Sequence, residues 1–130
     1  MKPPFRADHV GSLLRTASVK TNRHEWKLGN LPAEELRAIE DAAILETVKK
    51  LESTGMKAIT DGEFRRDYFH LDFLKELAGV TVTGGMDANP NAKVAEDGFK
   101  PPVLSVTGKL QHQKDIQVAD FNYLKSIVTQ

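Results

Sequence analysis

Residues 32–55 constrain this chain more than any other stretch. Pro32 suits the start of a helix, and Glu34 and Glu35 favour its positive N-terminal end. Leu36, Ile39, Ala43, Ile44, Val48 and Leu51 then recur mostly at three- and four-residue steps, which gathers them into one apolar stripe. Lys49 and Lys50 sit near the far end, and Gly55 is a natural stop. The pattern predicts one long amphipathic helix. Such a helix must bury its stripe against a second layer, and its neighbours in sequence suggest which layer.

Residues 5–12, FRADHVGS, read as a short strand ending in a glycine turn, and 13–31 as mostly polar and irregular. After the long helix, MKAITDG is a short apolar run closed by Asp61-Gly62, the expected shape of a strand. Residues 66–78 predict a helix with Phe69, Phe73, Leu74 and Leu77 on its apolar side. Over 79–100, Gly84-Gly85 and Asn89-Pro90 mark turns, and Val80 and Val82 alternate like a hairpin arm. PPVLSVTGKL, 101–110, reads as a third strand with Pro101 and Pro102 at its start. A last helix is expected over 117–128, burying Val118, Phe121, Leu124 and Ile127. Strands alternating with helices predict βαβ units and a parallel sheet. A (β/α)₈ barrel takes roughly 250 residues, about 31 per unit, so three units consume this chain and leave an open strand edge.

Composition narrows the function. Eighteen basic residues balance eighteen acidic ones among 130, which gives no global pull toward nucleic acid or an anionic membrane. No apolar run has the length of a membrane span, and MKPPFRADH lacks the apolar core of a signal peptide, so a cytoplasmic protein is expected. There is no cysteine, hence no thiolate metal site. His9, His24, His70 and His112 are scattered, without HxH or HExxH spacing. Gly84-Gly85 belongs to no phosphate loop, and Trp26 and Phe5 serve equally as core or as ligand platforms.

In parallel α/β folds, ligands bind beyond the C-terminal strand ends. Three segments are expected there: His9-Val10-Gly11-Ser12, Asp61-Gly62-Glu63 and Gly108-Lys109. Each residue has two readings. Glu63 either binds a substrate ammonium or stabilises the start of the next helix. Asp61 either orients a neighbour or simply makes the Asp-Gly turn. Arg65 and Arg66 either clamp a carboxylate or phosphate, or form surface pairs with Asp67 or Glu76. Gly11-Ser12 either presents backbone N–H groups and a hydroxyl to an anion or is an ordinary turn. His9 is either a proton carrier or ligand, or a hydrogen-bonded structural residue.

Four segments stand in one order: FRADHVGSLLR at 5–15, EDAAI at 40–44, ITDGEFRRDYFHLDFL at 59–74 and VTGKL at 106–110. The series resembles the cobalamin-independent methionine synthase family, in particular short single-barrel proteins related to its C-terminal catalytic domain. The match covers about 5 to 128 and is weakest over 79–100. The resemblance implies a (β/α)₈ TIM barrel of which residues 1–130 form the N-terminal segment. It implies methyl transfer from 5-methyltetrahydrofolate to homocysteine, with zinc holding the thiolate. By the family's motifs, Gly11 and Ser12 would hold the homocysteine carboxylate and Glu63 its amino group, with His9, Asp61 and Arg66 as further candidates. The family's zinc ligands, a His-x-Cys pair, a Glu and a later Cys, have no counterpart here, so no turnover is expected from this segment alone. Two other expectations stand beside it: a non-catalytic piece that covers its open edge by self-association, and a related barrel of different chemistry.

Overall fold

The computed structural model describes residues 7–84 and 101–129. They form two compact units, one running to Arg65 and resuming at Asp120, the other spanning Arg66–Ala119. Phe5, Gly85 and Asn89-Pro90 lie outside the described residues.

In the first unit the expected long helix is present as α2, Ala33–Ser53, with Pro32 as its cap and Gly55 just past its end at φ +81°. Its buried row is Leu36, Glu40, Ile44 and Val48, at strict four-residue steps. A charged residue thus occupies one step of the inward stripe, while Ile39 and Leu51 remain only half-buried. Ile44, Val48 and Phe64 make the core, and Leu13, Ala43, Ile59, Tyr123, Leu124, Ile127 and Val128 pack around it. Burying a side chain the size of Phe64 stabilises by roughly 1.5–3 kcal/mol.

A further helix, α1, spans Ala17–Lys27, within a stretch expected to be irregular. Thr16 caps it by accepting a hydrogen bond from the Val19 N–H. The periodic apolar signal is missing because only Val19 is buried; the inward face is completed by Arg23, paired at 2.7 Å with Glu40 of α2. The expected strands over 5–12, described from residue 7, and over 56–62 carry no ladder partners among the described residues, though Leu13, just past the first, donates its N–H to the Gly62 carbonyl at 3.0 Å.

In the second unit, 66–78 is not one α-helix but a series of turns ending in a 3₁₀ turn at Leu74–Glu76. Asp72 explains part of this. Its carboxylate reaches back to accept the N–H groups of Asp67 and Tyr68, closing a local turn over 67–72. The hairpin arm is present as β1, Ala78–Thr83, and the third strand as β2, Val103–Gln111, with the two prolines just before it. The two pair antiparallel, Val80 opposite Val106 and Val82 opposite Leu104. The expected parallel sheet is therefore absent from the described residues, whose single sheet is this ribbon. Parallel pairing needs a run of evenly spaced ladder bonds, and among the described residues no such ladder joins the segments assigned to it. The register breaks between Ala78 and Val80, at Gly79. A Cβ on Gly79, whose φ is +83°, would lie 2.6 Å from the Lys109 carbonyl oxygen. Only glycine fits there.

The last helix, α3, runs Val118–Ile127. Leu124 and Ile127 face the core as expected, whereas Val118 and Phe121 are exposed. No helix among the described residues is long and apolar enough to cross a membrane.

Candidate functional site

The segment Ile59-Thr60-Asp61-Gly62-Glu63-Phe64-Arg65 is pinned at every position that matters. Gly62 and Glu63 both hold left-handed backbone, φ +66° and +58°, a conformation that glycine accepts freely and glutamate rarely. Side chains just upstream catch the amides that this turn displaces. Thr60 Oγ1 accepts the Gly62 N–H at 3.1 Å, and Asp61 Oδ1 accepts the Glu63 N–H at 2.9 Å.

The carbonyls of this turn go to the segment after Ser12 and to α1. Gly62 C=O accepts from Leu13 N–H. Glu63 C=O accepts from Arg15 Nη2 at 2.9 Å, and Phe64 C=O from Arg15 Nε at 3.3 Å and from Arg23. Three consecutive carbonyls are thus taken by three residues from one side of the turn. Gly62 itself is buried; a Cβ there would sit 3.1 Å from the Phe64 ring and 3.2 Å from Leu13.

Downstream, Arg65 is held against α2 and α3. It hydrogen-bonds Asp41, lies 3.4 Å from carboxylate oxygens of both Glu40 and Asp120, and sits over the Tyr123 ring. Burial pulls its guanidinium pKa down, but the bond to Asp41 and the charges of Asp41, Asp120 and Glu40 outweigh it and hold the value above the ordinary one. Arg37 adds a 3.0 Å contact to Asp120.

The expected candidates fall as follows. His9 and Asp61 join this loop, His9 through Nδ1 at 2.7 Å from Thr60 Oγ1. Gly11, at φ +91°, and Ser12 are exposed at the start of the segment that grips Gly62. The Ser12 hydroxyl makes one long bond, 3.3 Å, to the Leu13 carbonyl. Glu63 is half-buried, with Oε2 shielded from water. Arg66 opens the second unit, and Gly108 and Lys109 lie there on β2, so the first unit gathers two of the three expected segments. Arg65 does not form the expected surface pair with Asp67 or Glu76; it is one of the least exposed charged residues in its unit. Glu63 does not begin an α-helix.

Several supporting residues went unread in the sequence. Arg15 and the pair Glu40-Asp41 stood within the motif segments without a role, and Thr60-Asp61 before glycine is the signature of side-chain-capped turns. Nothing local marks Arg23, Asp120 or Tyr123. For metal, the donor set does not fit zinc: the chain has no cysteine, and no group of three or more His, Asp or Glu residues among those described is placed to hold an ion.

No family model matches the chain. Similarity to individual proteins is extensive. The Bacillus subtilis protein YxjG is 42% identical over 129 residues, 97% of this chain and 32% of its own length. A 5-methyltetrahydropteroyltriglutamate–homocysteine methyltransferase from Lactiplantibacillus plantarum is 28% identical over 93% of this chain, which is 15% of that enzyme. A crystal structure from Listeria monocytogenes, provisionally named a vitamin-B12-independent methionine synthase, superposes with a TM-score of 0.72 at 37% identity, over 98% of this chain and 33% of its own. This chain spans about a third of the length of YxjG and of the Listeria protein. By sequence and by fold, it is a homologue of the cobalamin-independent methionine synthases.

Proposed function

We propose that this chain supplies the amino-acid end of a homocysteine site in a methionine-synthase-like methyltransferase. The observation that carries the reading is the joining of two loops in one unit. The segment after Gly11-Ser12 holds the carbonyls of Gly62, Glu63 and Phe64, and the turn they form is one that glutamate adopts only when its surroundings enforce it.

Glu63 offers a carboxylate to the substrate ammonium, a charge-assisted hydrogen bond stronger than a neutral one. Ser12 and the N–H groups around Gly11 take the substrate carboxylate. Together they fix the amino-acid end so that the thiol projects in one direction. The methyl donor, taken from the relatives, is a methylated folate. Activation of the sulfur is assigned to no residue of this chain, because its residues do not fit zinc. In this reading residues 1–130 are the N-terminal segment of a (β/α)₈ barrel, and the 130-residue chain by itself has no turnover. Calorimetric titration with L-homocysteine tests the site: the chain binds it, and Glu63→Gln weakens binding at least tenfold, about 1.4 kcal/mol. Equal affinity in the two proteins would discard the assignment of Glu63.

One observation favours a second reading. Val103, Val106 and Leu110 on β2 are each more than half exposed, and a two-stranded ribbon leaves both its edges open. A non-catalytic segment that pairs with another copy of itself through β2 would cover them. Sedimentation across a concentration series separates the readings, since this one requires a mass that rises with concentration.

A further inference from the structure

The geometry points to Arg15 as a positioning residue that sets the direction of the Glu63 carboxylate by holding the two peptide planes that follow its Cα. The inference rests on the proposed role of Glu63 and adds how that residue is aimed.

Two consecutive left-handed residues are costly, and Glu63 bears the larger cost because it has a side chain. Some group must over-determine the turn. Phe64 anchors its downstream end in the core, and Thr60 and Asp61 take its amides. These contacts leave the carbonyls of Glu63 and Phe64. Arg15 reaches both, with Nη2 at 2.9 Å and Nε at 3.3 Å. A guanidinium presents two parallel N–H groups in a rigid fork, so one side chain fixes two successive peptide planes. The side chain of Glu63 leaves the backbone between the first of those planes and the one before it, which the Leu13 N–H and the Asp61 carboxylate already hold. Arg23 shares the Phe64 carbonyl and is tied to Glu40 at 2.7 Å. Arg15 also lies three residues beyond Ser12, so the same residue sets the spacing between the carboxylate-binding and ammonium-binding ends of the site.

The test uses the full 130-residue chain, isotopically labelled, with Arg15→Ala and Arg15→Lys variants. The readouts are the backbone couplings and carbon shifts that report the φ of Glu63, with the Ile44 and Val48 methyl signals reporting the core. In the parent chain Glu63 shows a positive φ. In Arg15→Ala that signature is lost while the methyl signals stay in place. In Arg15→Lys, which can hold one carbonyl but not two, the Glu63 signals broaden. If Arg15→Ala fails to fold, Arg15→Lys decides the matter. A Glu63 signature unchanged in the folded variants overturns the proposal.

A second arm titrates L-homocysteine and its desamino analogue 4-sulfanylbutanoate. Loss of Arg15 weakens the first by roughly tenfold or more and leaves the second unchanged, because only the first uses Glu63. An equal loss for both overturns the positioning role. Absence of L-homocysteine binding in the parent chain counts against the homocysteine site alone, and the φ of Glu63 still decides the role of Arg15.

Discussion

The Arg65 guanidinium carbon lies 5.4 Å from the centre of the Tyr123 ring, and the Tyr123 hydroxyl donates to the Asp41 carbonyl at 2.8 Å. Asp41 in turn accepts from Arg65 through its side chain. The contacts close on themselves and bind the residue after the candidate loop to α2 and α3. Such a charge cannot be removed without leaving carboxylates behind in a partly dry site. Arg65→Met is expected to destabilise the chain by about 3 kcal/mol, seen as a lower urea midpoint at unchanged slope. Arg65→Lys recovers only part, because an ammonium cannot span Asp41, Glu40 and Asp120 as a fork does. The sign of the pH effect is clear. A cation whose folded pKa is raised contributes stability that is fully present below its unfolded value and is lost only at higher pH. The difference between parent and variant is therefore constant across neutral pH, and a slope there that follows Arg65 would contradict it.

Glu63 should show the cost of its backbone. Glycine occupies left-handed space at no steric penalty and alanine does not. Glu63→Gly is expected to be more stable than Glu63→Ala by about 1 kcal/mol, while neither binds L-homocysteine. Equal melting temperatures for the two variants would mean that the positive φ is not held in solution.

Gly79 offers a sharper contrast. A methyl group there meets backbone atoms of Gly108 and Lys109 at 2.6–2.9 Å, while at Gly11 it meets nothing within 4 Å. Both glycines have positive φ, so both substitutions strain the backbone. Gly79→Ala should cost more than Gly11→Ala, and more than about 1 kcal/mol in absolute terms. Hydrogen exchange of the Val80 and Val82 amides reports it, with loss of protection confined to the ribbon.

Asp72 sets an acid limit on the second unit. Burial alone would raise its pKa, but the Lys75 ammonium at 2.9 Å and the N–H groups of Asp67 and Tyr68 outweigh burial and hold it below the usual carboxylate range. A depressed folded value contributes stability above the ordinary pKa, and that stability is lost as pH falls through the folded value. Protection of the Asp67 and Tyr68 amides should thus hold down to about pH 4 and decline below it. Asp72→Asn should remove that acid dependence and lower protection at neutral pH. An unaltered acid limb in the variant would assign the transition to another group.

What could be read in the sequence follows from how each element is encoded. α2 was legible because Leu36, Ile44 and Val48 mark its inner face, and Pro32 and Gly55 its limits. α1 was not, because its inner face is one valine plus an arginine whose partner, Glu40, lies in another helix. The run Ile59-Thr60 looked like a strand because apolar content does not distinguish a strand from a loop whose Ile59 and Phe64 dip into a core. The antiparallel ribbon was half legible: Val80 and Val82 alternate, but strand direction depends on a partner that no local pattern names. In the site, Glu63 and Gly11-Ser12 stood out at expected strand ends, and motif resemblance then gave them roles. The turn chemistry of Thr60 and Asp61 was present in the residue types. The clamp by Arg15, Arg23 and Arg65 depends on contacts distant in sequence and is visible only once the chain is folded.

Phe64 is both the residue after Glu63 and a member of the central core with Ile44 and Val48. The loop therefore cannot leave its place without drawing a ring out of the hydrophobic interior, and opening of the loop is thermodynamically linked to global unfolding. Any small molecule that binds only the ordered loop raises the melting temperature of the entire unit, by an amount equivalent to about 2.7 kcal/mol when present at a hundred times its dissociation constant. The chain can thus report on its own ligands through heat alone, whether or not it turns any of them over.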